Sequence, residues 1–168
     1  MFKSIEGGIL PTRGSKYSAF VDVYANEDVV IGAGETKLIK LGIAICEPTM
    51  HDIWLSNIAL DYNLWKQSHY LQLAFRSSNA KKGLIMPTGF GVIDLDYEGE
   101  IMLPVHNAVK DKIDVILHKG YNNIESPLFV KDRLTLEFNS DFIVKKGDKI
   151  GQITLVEHKS YLFGVESD

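Results

Sequence analysis

The chain has 168 residues, of which 45% are hydrophobic and 24% charged, so it is long enough to bury the core of one globular domain. Its net charge of −4 argues against a general nucleic-acid-binding protein, because such proteins carry an excess of Lys and Arg that neutralises phosphate. With Cys46 as the only cysteine, an intrachain disulfide and a zinc site built on cysteines are both excluded.

The first ten residues, MFKSIEGGIL, lack the apolar core of a signal peptide, and no run approaches the roughly 20 apolar residues of a membrane span. The five histidines are far apart and lack the spacing of metal ligands on a helix, so we expect structural or solvated roles for His51, His69, His106, His118 and His158. We therefore expect a soluble, cytoplasmic protein with no membrane or nucleic-acid partner.

Six short runs in which apolar and polar residues alternate follow one another along the chain. This period of two, interrupted by Gly, Asn and Asp, is typical of half-buried antiparallel strands. Together the runs predict a single all-β domain, a sandwich or a barrel, over residues 1–168. They are KYSAFVDVYA (16–25), KLIKLGIAI (37–45), HYLQLAF (69–75), GEIMLPVHN (99–107), DKIDVILHK (111–119) and RLTLEF (133–138).

One stretch between the second and third runs has a helical pattern instead. In IWLSNIALDYNLWKQS (53–68), the residues Ile53, Leu60 and Leu64 fall on a single stripe at helical spacing. We therefore expect one helix in this stretch.

Three further stretches contain polar residues that a plain strand would avoid. The first, FRSSNAKKG (75–83), follows a strand with Arg76, Ser77 and Ser78 and continues into a basic loop. A guanidinium, hydroxyls and exposed backbone N–H groups can together bind an anion, although a polar loop that merely ends a strand has the same composition.

The second stretch, GVIDLDYEGEI (91–101), places two carboxylates close together. In a strand, Asp94 and Asp96 share one face, while Tyr97 points to the opposite face. Adjacent carboxylates repel each other unless one serves a metal or holds a proton, so the pair indicates a site, with a solvated strand edge as the plain alternative.

The third stretch, KKGDKIGQITL (145–155), has a turn at Gly147–Asp148 that enters a strand carrying Gln152. Taken alone, it predicts no more than a hairpin turn.

In this order and at these separations, the three stretches and the preceding YSAFVDVYA resemble four motifs of the dUTPase family, β-rich hydrolases that convert dUTP to dUMP and pyrophosphate. Arg76 and Asp94 are 18 residues apart, about the family's spacing. The resemblance implies an all-β jelly-roll or distorted β-barrel of the β-clip type with an ordered insertion. It also implies dUTP as substrate and a homotrimer whose sites form between subunits.

The resemblance further implies a role for each matched residue. Asp94 is expected to be the catalytic base that activates a water for attack on the α-phosphorus, and Tyr97 to lie against the deoxyribose and exclude a 2′-hydroxyl. Asp22 is expected to bind Mg²⁺ through water, because magnesium keeps several of its waters. The other substrate-binding residues are expected to be Arg76, Ser77, Ser78, Thr88, Gly91, Ile93 and Gln152.

The sequence departs from the family pattern within three of the motifs. Phe20 and Val21 stand where the first motif has a Gly and an aromatic residue, and Thr88 stands where an Asn usually reads the uracil edge. A threonine hydroxyl cannot replace both groups of an amide, which loosens the expected uracil specificity. Of the fifth, carboxy-terminal motif, only Phe163–Gly164 resembles the family pattern.

The largest departure is an added segment between Asn107 and Gly147, which we call the insertion arm (about 108–146). Its alternating runs predict an ordered arm, because such runs would make a poor solvated coil. Long ordered insertions commonly carry binding, so the arm is a candidate surface for a protein partner. Some phage relatives are enlarged at this place, which favours a phage-type member in a host cytoplasm.

Two alternatives stay open. A dCTP-acting relative of the same fold would need a Glu three residues into the strand after the turn, but this chain has Pro104 there, which cannot transfer a proton. A non-enzymatic, regulatory member that binds a protein partner through the insertion arm is the stronger alternative.

Overall fold

Strands make up most of the regular structure. The structure is a computed structural model that describes residues 1–56, 61–109, 113–118, 133–138 and 140–164, with the backbone alone for 113–118 and 133–138. The strands described are β1 (Phe2–Ser4), β2 (Val21–Tyr24), β3 (Val29–Ile31), β4 (Thr36–Lys40), β5 (Ile43–Ile45), β6 (His69–Phe75), β7 (Leu84–Ile85), β8 (Gly91–Asp94), β9 (Met102–Asn107), β10 (Ile113–His118), β11 (Arg133–Phe138), β12 (Phe142–Val144) and β13 (Lys149–Glu157). The helices are α1 (Glu47–Leu55), α2 (Tyr62–Gln67), α3 (Ser77–Ala80) and a 3₁₀-helix (Ser160–Phe163).

The central sheet has the strand order β2–β13–β6–β8, and each neighbouring pair in it is antiparallel. A second sheet has the order β4–β9–β7, and the remaining strands form the pairs β1–β5, β12–β3 and β10–β11. The prediction of an all-β protein is confirmed.

One buried cluster draws on both larger sheets. Leu71 and Leu73 of β6, and Leu103 and Val105 of β9, are all buried, as the alternating pattern predicted. Side chains two residues apart in a strand lie on the same face, so each of these strands gives one apolar face to the core.

The first predicted strand is shorter than its alternating pattern suggests. β2 begins at Val21, and Tyr17, an apolar position of the alternating run 16–25, is 86% exposed. Residues 15–18 form a turn instead, in which the Ser18 N–H donates to the Ser15 carbonyl (3.2 Å) and Ser18 Oγ accepts from the Ser15 N–H (2.9 Å). Serine side chains that bond to nearby backbone groups favour turns over strands, which alternation cannot reveal.

The single helix predicted over 53–68 is two helices, α1 and α2. Asp61 starts α2, because its carboxylate accepts a hydrogen bond from the Leu64 N–H (3.0 Å) and caps the helix. Residues 57–60, which include Leu60 of the predicted stripe, lie outside the described residues. Among the described residues, no helix is long and apolar enough to cross a membrane.

Both alternating runs of the insertion arm form strands. β10 and β11 pair antiparallel, from Ile113 opposite Phe138 to His118 opposite Arg133, and within the described ranges they form a sheet of their own. The prediction of order at these two runs is confirmed, while the rest of the arm between 110 and 139 lies outside the described residues. The single domain over 1–168 stays a prediction.

Candidate active site

Asp94 stands at the end of β8, where the chain turns. The Tyr97 N–H donates to the Asp94 carbonyl (3.1 Å) and closes a turn. Leu95 is only 4% exposed and belongs to the core cluster, whereas Asp94 and Asp96 on either side of it are exposed. Burial of this one leucine therefore turns both carboxylates toward solvent.

Tyr97 lines the same cleft as the two carboxylates. A continuous strand would have placed Tyr97 on the face opposite Asp94 and Asp96, but β8 ends at Asp94 and the turn changes the direction of the chain. The predicted separation of the tyrosine from the carboxylates is therefore not found. The remaining wall of the cleft includes three apolar side chains, Leu38 of β4, Val92 of β8 and Met102 of β9.

Two contacts hold the Tyr97 ring, which is 43% exposed. Its hydroxyl donates to the Glu100 carbonyl (3.2 Å), and the tip of the ring occupies the place where a Cβ on Gly99 would stand. The Glu100 carboxylate accepts from the Gly42 N–H (2.9 Å), which ties this segment to the corner between β4 and β5. The ring is therefore held by backbone groups and needs a glycine at position 99.

A group of polar side chains from α2, the start of β6 and the carboxy-terminal turn borders Asp94 and Asp96 on another side. The group consists of Asn63, Lys66, Gln67, His69, His158 and Ser160. The sequence did not predict this group, because α2 and the turn after β8 come together only in the folded chain.

Glu47 connects α1 to this group. The Tyr62 hydroxyl donates to Glu47 (2.6 Å) and the Lys66 ammonium donates to it as well (3.1 Å). These contacts, the Tyr62 bond above all, lower the pKa of Glu47, whereas burial and the bond to Glu47 raise the pKa of Tyr62. The three side chains thus link α1 and α2 beside the Asp94 turn.

At the opposite end of β6, Arg76 belongs to an ion-pair cluster with Asp22 and Lys149, which we call the Asp22 cluster. Arg76 Nε lies 3.0 Å from Asp22 Oδ1, and Lys149 Nζ lies 3.2 Å from Asp22 Oδ2. The Asp22 side chain is 13% exposed, so its charge is largely removed from water and requires cationic partners.

The short helix α3 follows Arg76 and is held on the central sheet by Asn79. Asn79 is buried, and its Nδ2 donates to the Ile150 carbonyl of β13 (2.6 Å). Ser77 and Ser78 are exposed on this helix. The predicted loop is therefore a helical turn that is fixed to the sheet by one buried amide.

Gln152 lies beside the Asp22 cluster. In the ladder it is opposite Asp22 of β2 and opposite Ala74 of β6, and its Nε2 donates to the Phe75 carbonyl (2.8 Å). The structure thus brings the predicted residues of the first, second and fourth motifs to one end of the central sheet.

The remaining predicted substrate residues lie in or just before β8. Thr88 is exposed in a turn that the Gly89 N–H closes on the Met86 carbonyl (2.8 Å). Gly91 and Ile93 pair with β6 and lie between the two ends of that strand.

Within a single chain, the part of the predicted site around Asp94 lies far from the part around Arg76. Asp94 pairs with Tyr70 at the start of β6, whereas Arg76 follows the end of the same strand. Six residues of extended chain separate positions 70 and 76, which corresponds to about 20 Å. Asp94 and Tyr97 therefore do not meet Arg76, Ser77 and Gln152 within a single copy.

A resident metal site is not formed by the carboxylates at either end. Among the described residues there is no group of three or more His, Cys, Asp or Glu side chains that could hold a metal ion. Both oxygens of Asp22 are paired with cations, which would repel a magnesium ion. The residues thus do not fit a protein-bound Mg²⁺, and the metal role of Asp22 stays a prediction that the observed pairing does not favour.

Two residues with a clear place in this geometry were missed from the sequence. The sequence contained a local signal for Gly99, because a side chain two residues after Tyr97 would readily clash with the tyrosine ring. Lys149 had none, because its proximity to Asp22 depends on the pairing of β13 with β2.

Comparison with known proteins assigns the chain to a family. Residues 48–120 match the dUTPase family model. The deoxyuridine 5′-triphosphate nucleotidohydrolase of Debaryomyces hansenii is 30% identical over 155 residues, which cover 92% of this chain and 67% of that protein. The corresponding protein of Candida glabrata is 28% identical, with 89% of this chain and 71% of that protein covered. The chain belongs to the dUTPase family, whose members are dUTP diphosphatases, and the predicted family is confirmed.

Solved structures agree on the fold. The dUTPase of Streptococcus mutans superposes with a TM-score of 0.60 at 21% identity, covering 94% of this chain and 95% of that one. The dUTPase of phage phi11 of S. aureus, described for its species-specific insert, has a TM-score of 0.65 at 19% identity, covering 100% of this chain and 94% of that one. A mutant of the phi11 enzyme is described as coordinating a structural Mg(II) ion. The predicted β-clip fold is confirmed, and it is shared with phage dUTPases.

Proposed function

We propose that the protein hydrolyses dUTP to dUMP and pyrophosphate, with Asp94 as the base that orients and deprotonates the attacking water. The observation that carries this proposal is the turn after β8, where Asp94 is exposed and shares a cleft with Tyr97. A solvent-exposed carboxylate beside the α-phosphorus can accept the proton of the water while pyrophosphate leaves. Membership of the dUTPase family supports the same reaction.

Tyr97 supplies the sugar selectivity in this proposal. Its ring is held by the Glu100 carbonyl and by Gly99, so it forms a fixed wall rather than a mobile side chain. A 2′-hydroxyl would meet this wall without a hydrogen-bonding partner, which penalises a ribonucleotide. Thr88, Gly91 and Ile93, in β8 and the turn before it, are the further residues that bind the nucleotide in this proposal.

Arg76, Ser77, Ser78 and Gln152 bind the phosphates. Gln152 uses one amide hydrogen on Phe75, which leaves the second for a phosphate oxygen. Magnesium binds together with the triphosphate in this proposal, since Mg²⁺ is commonly bound through substrate phosphates and water.

The complete site forms between copies of the chain, in a homotrimer. The separation of about 20 Å along β6 keeps the base away from Arg76 within one copy, so a neighbouring copy has to supply one half of the site. This arrangement also explains why Asp94 and Ser77 are both exposed in the single chain.

The activity is tested by pyrophosphate release from dUTP, dCTP, dTTP and UTP in the presence of magnesium. We expect release from dUTP, and a loss of about 1,000-fold in Asp94→Asn, the size typical for removal of a general base. Asp96→Asn is the matched control, because it changes the neighbouring exposed carboxylate and should keep most of the rate. Equal losses of rate in the two variants would show that Asp94 is not the specific general base. No pyrophosphate release from any of the nucleotides would contradict the proposed hydrolase activity.

The sharing of the site is tested by co-expressing Asp94→Asn and Arg76→Ala chains with different tags. If the base and Arg76 come from different copies, an intact site takes Asp94 from an Arg76→Ala chain and Arg76 from an Asp94→Asn chain. Random mixing then restores roughly a quarter of the sites in the trimers. Co-expression of Asp94→Asn with Asp94→Ala is the control and restores none. Activity that stays absent in the mixed trimers would place both halves of the site in one copy.

A regulatory role through the insertion arm is the second candidate. It is favoured by β10 and β11, which form a two-stranded sheet separate from the other described sheets. Deletion of residues 110–139 with a short linker should leave dUTP turnover intact and abolish any partner binding if the arm is a separate interface. Loss of turnover on deletion would assign the arm to the enzyme instead.

A further inference from the structure

The Asp22 cluster contains one cation more than neutrality requires. A single guanidinium would balance the carboxylate of Asp22, yet Arg76 and Lys149 both contact it, one on each oxygen. The cluster therefore has a net charge of +1 on a chain whose net charge is −4. The carboxylate itself is nearly buried, whereas both cations are partly exposed, so the excess positive charge faces solvent.

Both cations keep hydrogen-bond donors for a further anion. Arg76 contacts Asp22 through Nε, which leaves the N–H groups of its two terminal nitrogens. The Lys149 ammonium has three N–H donors, and the Asp22 contact uses one of them. A tetrahedral phosphate accepts such donors from several directions, and charge-assisted bonds of this kind are the strong ones.

Lys149 is also held in place. Its ammonium lies 5.9 Å from the centre of the Tyr24 ring, and the Tyr24 hydroxyl is bonded to Thr12 Oγ1 (2.5 Å). A lysine side chain usually loses much rotamer freedom on binding a ligand, so fixing it beforehand lowers the entropic cost.

We propose that Lys149 is a second phosphate-binding cation beside Arg76, and that Asp22 positions the pair rather than binding metal. The ligand is the polyphosphate chain of a nucleoside triphosphate, so the inference rests on the proposed function for its substrate. The Asp22 cluster then works as a clamp in which one carboxylate holds two cations at a fixed separation.

The test compares a charged ligand with a neutral one. Calorimetry measures the binding of inorganic tripolyphosphate and of deoxyuridine to the wild type, Lys149→Met and Lys149→Arg. We expect Lys149→Met to weaken tripolyphosphate binding and raise the KM for dUTP by about 10-fold, the loss of one charge-assisted bond, with deoxyuridine binding unchanged. Lys149→Arg keeps the charge and should restore most of the affinity.

Lys145→Met is the matched control, because Lys145 also pairs with a carboxylate, Asp28, but away from the cluster. It should leave the binding of tripolyphosphate and deoxyuridine and the KM for dUTP unchanged. Equal weakening of deoxyuridine in Lys149→Met, or unchanged tripolyphosphate binding, would overturn the proposal. Since tripolyphosphate binding needs no turnover, this result stands apart from the test of dUTP hydrolysis.

Asp22→Glu separates positioning from metal binding, because it keeps the cluster at a net charge of +1 but moves the carboxylate by one methylene. If Asp22 positions the cations, the variant weakens tripolyphosphate binding in the absence of magnesium, and the magnesium concentration that gives half-maximal rate does not change. The clamp would be contradicted if the variant bound tripolyphosphate normally without magnesium but needed more magnesium for turnover. That result would support a metal-binding role for Asp22.

Discussion

At one end of the central sheet, Arg76 and Lys149 pair with the nearly buried Asp22, whereas at the other end Asp94 is exposed at the last paired position of β8. The first end is organised by charge and by a buried amide within one copy of the chain. The second end depends on a turn that Leu95 holds in the core and on backbone contacts to Tyr97. In the proposed trimer, the phosphate-binding residues are therefore held in place within each copy, whereas Asp94, the proposed base, needs the phosphate-binding residues of a neighbouring copy.

The largest expected effect concerns the stability of the Asp94 end. Leu95→Ala removes a buried side chain and should lower the free energy of unfolding by about 3 kcal/mol, as in other leucine truncations in cores. Urea unfolding measures this. Val92→Ala, at an exposed position of β8 just before the turn, should change stability by less than about 0.5 kcal/mol. Similar losses in both variants would show that the turn does not depend on the leucine.

The next effect concerns the phosphate end. Asn79→Ala leaves the Ile150 carbonyl without its 2.6 Å donor in a buried place and should cost about 2 kcal/mol of stability. Because α3 is then less firmly held beside Arg76, the KM for dUTP should rise more than kcat falls. Thermal unfolding and steady-state kinetics measure the two effects, with exposed Lys81→Ala as the control. A stable variant with normal KM would exclude Asn79 as the support of this end.

A smaller effect is expected in sugar selectivity. Gly99→Ala places a methyl group where the tip of the Tyr97 ring lies, so the exposed ring should move while the fold survives. We expect the preference for dUTP over UTP to fall by roughly 10-fold, the order of one lost contact. A double-mutant cycle with Tyr97→Ala isolates the cause, because Gly99→Ala should add nothing once the ring is absent. Additive effects would assign the loss to the backbone of the turn instead.

The smallest effect is a pH dependence of stability in the helices next to the Asp94 turn. The pKa of Glu47 is lowered by the Tyr62 hydroxyl and by Lys66, so its charged form is favoured in the folded state. This contribution is present above the unfolded pKa of about 4.3 and is lost as the pH falls through the lower folded pKa. Glu47→Gln should therefore be less stable than the wild type near pH 7, by under about 1 kcal/mol, and similar to it near pH 3. Thermal unfolding of the wild type and Glu47→Gln at both pH values measures this. A stability difference that is the same at both pH values would show that titration of Glu47 is not its cause.

Alternation along the chain was enough to predict the strands β6 and β9, because apolar side chains two residues apart must share a face of the sheet. Alternation also placed Asp94 and Asp96 on the side opposite Leu95, and the turn after β8 keeps both carboxylates exposed. Both conclusions depend only on local periodicity, and the residues concerned are consecutive in the chain. The order of the motifs was sufficient to indicate the dUTPase family.

The positions of the motifs relative to one another follow from the pairing of the strands, which the sequence pattern does not contain. The antiparallel register that sets Tyr70 opposite Asp94 sends Arg76 to the far end of β6, and no local pattern contains that register. Likewise, the pairing of Lys149 with Asp22 joins residues more than a hundred positions apart. Side-chain periodicity is a property of neighbours in the chain, whereas the distance between a base and a phosphate-binding arginine follows from hydrogen bonding between strands.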